Sequence, residues 1–167
     1  MIKEAVVYVS LLCAGLWCAA PSWAESPTTC AYESSGVDLQ KFRTSKHVIG
    51  FEQIERKARY SGNLKKVGGF YLELFGCTHY GARLTVLLGP DDDVASVSRA
   101  LDVLPDLLFS VTSSKQVKKA LADVSIEALL TLVHLPDLAK DLGLTDVNVQ
   151  MFDTDGMGVL VFEFYGG

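Results

Sequence analysis

The chain is short of the residues and motifs that catalysis and cofactor binding usually need. It has three histidines, His47, His79 and His134, and no two sit at i,i+3 or i,i+4. That spacing removes the helical histidine pair of a zinc site. No serine stands on a Gly-x-Ser-x-Gly elbow, and there is no phosphate-cradling loop, dinucleotide fingerprint or haem-attachment pair. An excess of positive charge is missing too: 15 Lys and Arg face 20 Asp and Glu, for a net charge of -5. A general basic field for gripping nucleic acid is therefore excluded. Long apolar runs are scarce. The uncharged stretch Ala5–Ala20 falls short of the roughly 20 residues that cross a hydrocarbon core, and no second one follows. What remains is ordinary globular composition, 49% hydrophobic and 21% charged, in 167 residues.

That one apolar stretch has a context. Lys3 precedes it, Pro21 breaks it, and Ser22-Trp23-Ala24 places small residues at the −3 and −1 positions of a cleavage site. Residues 1–24 have the three-part layout of a secretory signal peptide, and cleavage is expected after Ala24. A retained N-terminal anchor is the alternative. A lipoprotein signal fits poorly, because a bulky Trp17 precedes Cys18. The expected address is the periplasm or the exterior, with a mature chain from Glu25 to Gly167.

Export changes the meaning of the cysteines. Cys13 and Cys18 leave with the leader, and Cys30 and Cys77 stay. Outside the cytosol a single remaining pair reads as a disulfide. By chain entropy, closing a loop of about 47 residues contributes roughly 4 kcal/mol at most. The bridge would tie the polar lead-in, residues 25–40, to the domain expected over residues 41–167. A metal pair is disfavoured, since there is no Cys-x-x-Cys and no histidine at ligand spacing from both.

Residue periodicity supplies the fold class. Gly69–Phe75 puts Phe70, Leu72 and Leu74 on one face, and Ala82–Leu88 puts Leu84, Val86 and Leu88 on one face. This is the two-residue period of strands, joined as a hairpin over about 69–88. A second hairpin is expected over about 146–165, with Val147, Val149 and Met151 on one side and a turn at Asp153–Gly156. The returning strand is apolar on nearly both faces, which places it inside the sheet. Between the hairpins, about 91–142, lies a cluster of short helices. Asp91, Asp92 and Asp93 would open the first, with Val94, Val97, Leu101 and Leu104 as its buried stripe and Pro105 ending or kinking it. Ser113 or Ser114, then Ser125, would cap the next two. Pro136 and Gly143 would bracket the last. The class is α+β, helices on one face of an antiparallel sheet. Residues 47–60 suit a helix or a strand turning at Ser61-Gly62-Asn63.

Candidate sites are few. Asp153-x-Asp155-Gly156 has part of a calcium-loop pattern, but Met151 and Phe162 occupy the places where oxygen ligands belong. A hairpin turn explains the same letters. Asp91–Asp93 suit a helix start better than a divalent ion. Glu73 and Glu163 lie within apolar strands and are candidate cross-sheet neighbours. His79 and Tyr80 sit beside Cys77 in a glycine-bounded loop, a candidate recognition tip. Residues 41–66 carry eight basic residues against Glu52 and Glu55, whereas 67–167 carry six basic and fourteen acidic. Within the basic stretch Arg56, Lys57, Arg59, Lys65 and Lys66 are candidate contacts for an anionic partner. No catalytic residue, metal or cofactor is assigned.

The profile resembles small exported, single-disulfide proteins of Gram-negative bacteria that bind and neutralise hydrolases, such as effector-immunity proteins and lysozyme inhibitors. The likeness lies in size, address and missing catalytic motifs, and it attaches to no particular residue. It implies a binding protein that occupies a toxin or cell-wall hydrolase. Two other classes stay open: an envelope assembly factor meeting an anionic polymer or membrane surface through 41–66, and a small hydrolase using a carboxylate with His79.

Overall fold

A computed structural model describes residues 37–54, 58–76, 80–88 and 94–166. In chain order the elements are α1 (Leu39–Thr44), β1 (Val48–Gln53), β2 (Arg59–Leu64), β3 (Gly68–Phe75), β4 (Tyr80–Leu88), α2 (Val94–Leu108), α3 (Val111–Ala122), α4 (Ile126–Leu129), β5 (Val133–His134), α5 (Pro136–Leu142), β6 (Asp146–Thr154) and β7 (Met157–Gly166). All seven strands join one antiparallel sheet in the order β1-β2-β3-β4-β7-β6-β5. The α+β class, the two long hairpins and the helices between them are as the periodicity predicts. The apolar strand β7 lies inside the sheet, between β4 and β6.

Alternation decides which face is buried. Phe70, Leu72 and Leu74 of β3 line up with Val86, Leu84 and Ala82 of β4, and these with Leu160, Phe162 and Phe164 of β7. All nine are buried, and Val147 and Val149 of β6 complete the surface. The helices supply Val97, Leu104, Leu108, Val117, Leu129 and Leu138 from above it. Each large side chain so buried contributes about 1.5–3 kcal/mol, which is what selects this register over a one-residue slip.

Several local expectations are corrected. Val48–Gln53 and Arg59–Leu64 are strands, and Ser61-Gly62-Asn63 lies within β2 instead of turning the chain. A Cβ on Gly62 would meet the Gly50 carbonyl oxygen and the Phe70 ring, each at 2.8 Å, so the missing side chain lets β1 and that ring close in. The chain reverses just after, at Lys65–Val67, where Lys66 has a positive φ of 62°. The lead-in does not stay irregular to Gln40: α1 starts at Leu39, with the Asp38 carboxylate accepting from Lys41 N at 2.9 Å. Helix α2 runs through Pro105 to Leu108, held beyond the lost amide bond by burial of Leu107 and Leu108. Ser110, not Ser113 or Ser114, caps α3, because its extended backbone (ψ 160°) turns its hydroxyl onto Ser113 N. Ser125 caps α4, Pro136 opens α5, and Gly143 ends it in the left-handed region as expected. Asp155 and Gly156, with φ of 54° and 78°, make the β6–β7 turn, and Asp153 Oδ1 accepts from Gly156 N at 3.1 Å. Asp91–Asp93 lie outside the described residues.

Candidate functional site: the open face of the sheet

The second face of the sheet has no helix over it among the described residues, and its side chains fall into rungs. One rung is charged: Arg59, Glu73, Arg83, Glu163, Asn148 and His134 sit side by side from β2 to β5. Charges alternate along it. Arg59 binds Glu73 Oε1 through Nε and Nη2, each at 2.7 Å. Arg83 Nε donates to Glu163, and its Nη1 lies 4.0 Å from the other oxygen of Glu73. The hydrogen bond to Glu163 holds the Arg83 guanidinium above its ordinary pKa. Burial pushes the neighbouring Tyr165 hydroxyl up. At the end of the rung, Asn148 Nδ2 donates to Asp146 Oδ2 at 2.8 Å, and His134 Nδ1 lies 3.8 Å from Asp146 Oδ1.

A parallel rung is apolar at three points. Ile49, Asn63, Gly69, Leu87, Val159 and Phe152 align from β1 to β6. Ile49 is 53% exposed, and Leu87 and Phe152 are each 44% exposed. Single exposed apolar residues are ordinary, but Leu87, Val159 and Phe152 are consecutive on this rung, and only the rung of Tyr71, Thr85, Val161 and Gln150 separates them from the charge row. Between the rungs, near β5, is a groove of about 300 Å3. Leu132, Phe152 and Val161 form its apolar wall, and Arg83, Asn148 and Glu163 its polar side.

The sequence candidates do not converge. Cys30, Arg56, Lys57, Cys77 and His79 lie outside the described residues. Tyr80 is the first residue of β4, paired with Gly166, so it belongs to the end of the sheet as well as to the loop. Arg59 is on the open face and neutralised by Glu73. Lys65 and Lys66 are exposed in the β2–β3 turn, roughly 20 Å along the strand from Arg59. Thus Arg59 does not share one basic patch with Lys65 and Lys66. Glu73 and Glu163 do share the sheet's open face, but Arg83 stands between them. Among the described residues no three His, Cys, Asp or Glu side chains form a group able to hold a metal, and no helix is long and apolar enough to cross a membrane.

Comparison with protein-family profiles, curated proteins and solved structures finds no match to this chain. The site therefore rests on its own geometry. Arg83, Leu87, Asn148 and Phe152 were missed as site residues by sequence reasoning. Their signal was present: each is at the opposite parity to the buried positions of its strand. Which polar positions of that parity are neighbours depends on strand order, which a sequence does not print.

Proposed function

We propose that this is an exported binding protein that occupies a macromolecular partner through the open face of its sheet. The partner class expected from the sequence profile is a toxin or cell-wall hydrolase. The observation that carries the reading is the exposed apolar rung Ile49–Leu87–Phe152 on the same open face as a charge row already neutralised within itself. Apolar area drives association, and a polar border sets register without leaving a charge unpaired when water is expelled. The rigid backbone of seven paired strands keeps the ordering cost of binding low.

The hydrolase alternative turns on His79, which lies outside the described residues; of the carboxylates, Glu73 and Glu163 are each engaged by arginine. The assembly-factor alternative loses Arg59 from its cationic surface for the same reason.

The test is affinity capture from a periplasmic extract with the wild-type chain and with Leu87→Glu. Leu87 is exposed, so the variant is expected to keep its fold by circular dichroism and melting temperature. The expected result is a defined protein partner retained by the wild type and lost by the variant. A partner held equally by both would overturn the assignment of the face. No partner under any extraction condition would overturn the function.

A further inference from the structure

We infer that the free edge of β6, together with the groove beside it, takes an extended cationic segment of a partner protein by strand addition. The inference rests on the partner-binding reading above and names the place and chemistry of one contact. The edge comes first. β5 pairs with β6 only at Val149 and Asn148, although β6 runs nine residues. Leu135 N donates to the Val147 carbonyl at 2.9 Å, so the backbone of Val147 faces the β5 side. By the two-residue period, Met151 and Asp153 face the same way, beyond the end of β5. Among the described residues no strand lies there. The β6–β7 register runs without a shift, so this stretch of edge is regular enough to template another strand.

The groove gives the second observation. Asn148 is only 7% exposed, and among the described residues its Oδ1 has no donor. Its orientation is settled by chemistry: a carboxylate only accepts, so the amide nitrogen must face Asp146. The oxygen is left as a buried acceptor on a residue that lines the groove. Leu132, Phe152 and Val161 offer apolar carbon to a group entering the groove, and Asn148, Gln150 and Glu163 line it with polar side chains. A lysine or arginine side chain suits such a mixed lining, with an apolar stem ending in donors.

Charge agrees. Asp153 and Asp155 are exposed at the end of the edge, and Asp146 lies at the other. Among the described residues lining the groove, the one cation, Arg83, is held by Glu163. Two copies of this chain joined edge to edge would set these acids against each other, so the occupant is a different, basic chain.

The experiment uses the full chain, isotope-labelled, and acetylated peptides of about eight residues, a usual strand length. One peptide alternates valine with lysine, one alternates valine with glutamate, and one is the lysine peptide N-methylated at alternate amides. The lysine peptide is expected to shift the amide resonances of Met151 and Asp153 and the side-chain amide of Asn148. The other two peptides, and Asp153→Lys with the lysine peptide, are expected to bind at least about tenfold more weakly. An unshifted β6, equal binding of the N-methylated peptide, or the same shifts from butylammonium alone would each overturn strand addition. With the natural partner, loss on Leu87→Glu but not on Asp153→Lys would overturn the edge contact and leave the face reading intact.

Discussion

On its β1 side the sheet carries a packed ring cluster and a bulge, and on its other side the short β5 leaves β6 half open among the described residues. Phe42 of α1 meets the Phe70 ring edge-on at 5.2 Å and the Phe51 ring at 5.8 Å, while Phe51 stacks on Tyr60 at 5.1 Å. The register slips between Ile49 and Glu52, and Gly50 sits there with φ 68°. Such a bulge twists an edge away from further pairing. On the far side, β5 is a two-residue strand beside a nine-residue neighbour. Among the described residues, one edge is blunted and the other is left regular. The Phe42–Phe51–Phe70 ring cluster and the open stretch of β6 are on opposite sides of the sheet, so stability and binding can be altered separately.

That separation can be broken most strongly at Phe42, which is fully buried. Phe42→Ala is expected to lower unfolding stability by about 3–5 kcal/mol, read by denaturant titration. Hydrogen exchange should show lost protection in β1 and β2 while β6 and β7 keep theirs; uniform loss would mean the two edges are not independent. Gly62→Ala comes next. Its new methyl meets a backbone oxygen and a ring, so a cost of about 1–3 kcal/mol is expected on the same titration. At the open edge a much smaller effect on stability is expected. Asn148→Val removes an acceptor with no donor among the described residues, along with the amide's bond to the partly exposed Asp146 carboxylate, which water can replace, so stability should stay within about 1 kcal/mol of wild type while binding of the lysine peptide falls.

The smallest effect calibrates the rest, because it touches neither edge. Lys118 Nζ donates to Asp106 Oδ2 at 2.5 Å, linking α3 to α2 and holding the Asp106 carboxyl below its usual range. A depressed carboxyl stabilises the fold above its unfolded pKa, and this stabilisation is lost as pH falls through the folded value. Both side chains are substantially exposed, so Asp106→Asn should cost under about 1 kcal/mol at neutral pH. The difference from wild type should vanish in acid, as measured by melting temperature against pH.

Much of the fold was legible because it depends on local period. The parity of GFYLELF and ARLTVLL, and of the strands around Asp153–Gly156, can be read without knowing any neighbour. The strand pair at 48–64 was not resolved, since Val48, Phe51, Ile54 and Ala58 fit a helical stripe as well as a bulged strand. The cap of α3 was misplaced because Ser110, Ser113 and Ser114 are chemically alike and differ only in backbone angle. At the site, Glu73 and Glu163 were recognised as possible neighbours. The arginine between them, and the orphaned Asn148, were not.

Composition and alternation alone determined an antiparallel sheet with helices on one face, because burying every second side chain is a property of each strand by itself. The pairing of Arg83 with Glu163, the aligned rung of Ile49, Leu87 and Phe152, and the bare edge of β6 were decided only by the folded chain. They depend on which strands lie side by side, and that order is chosen by the packing of the whole core.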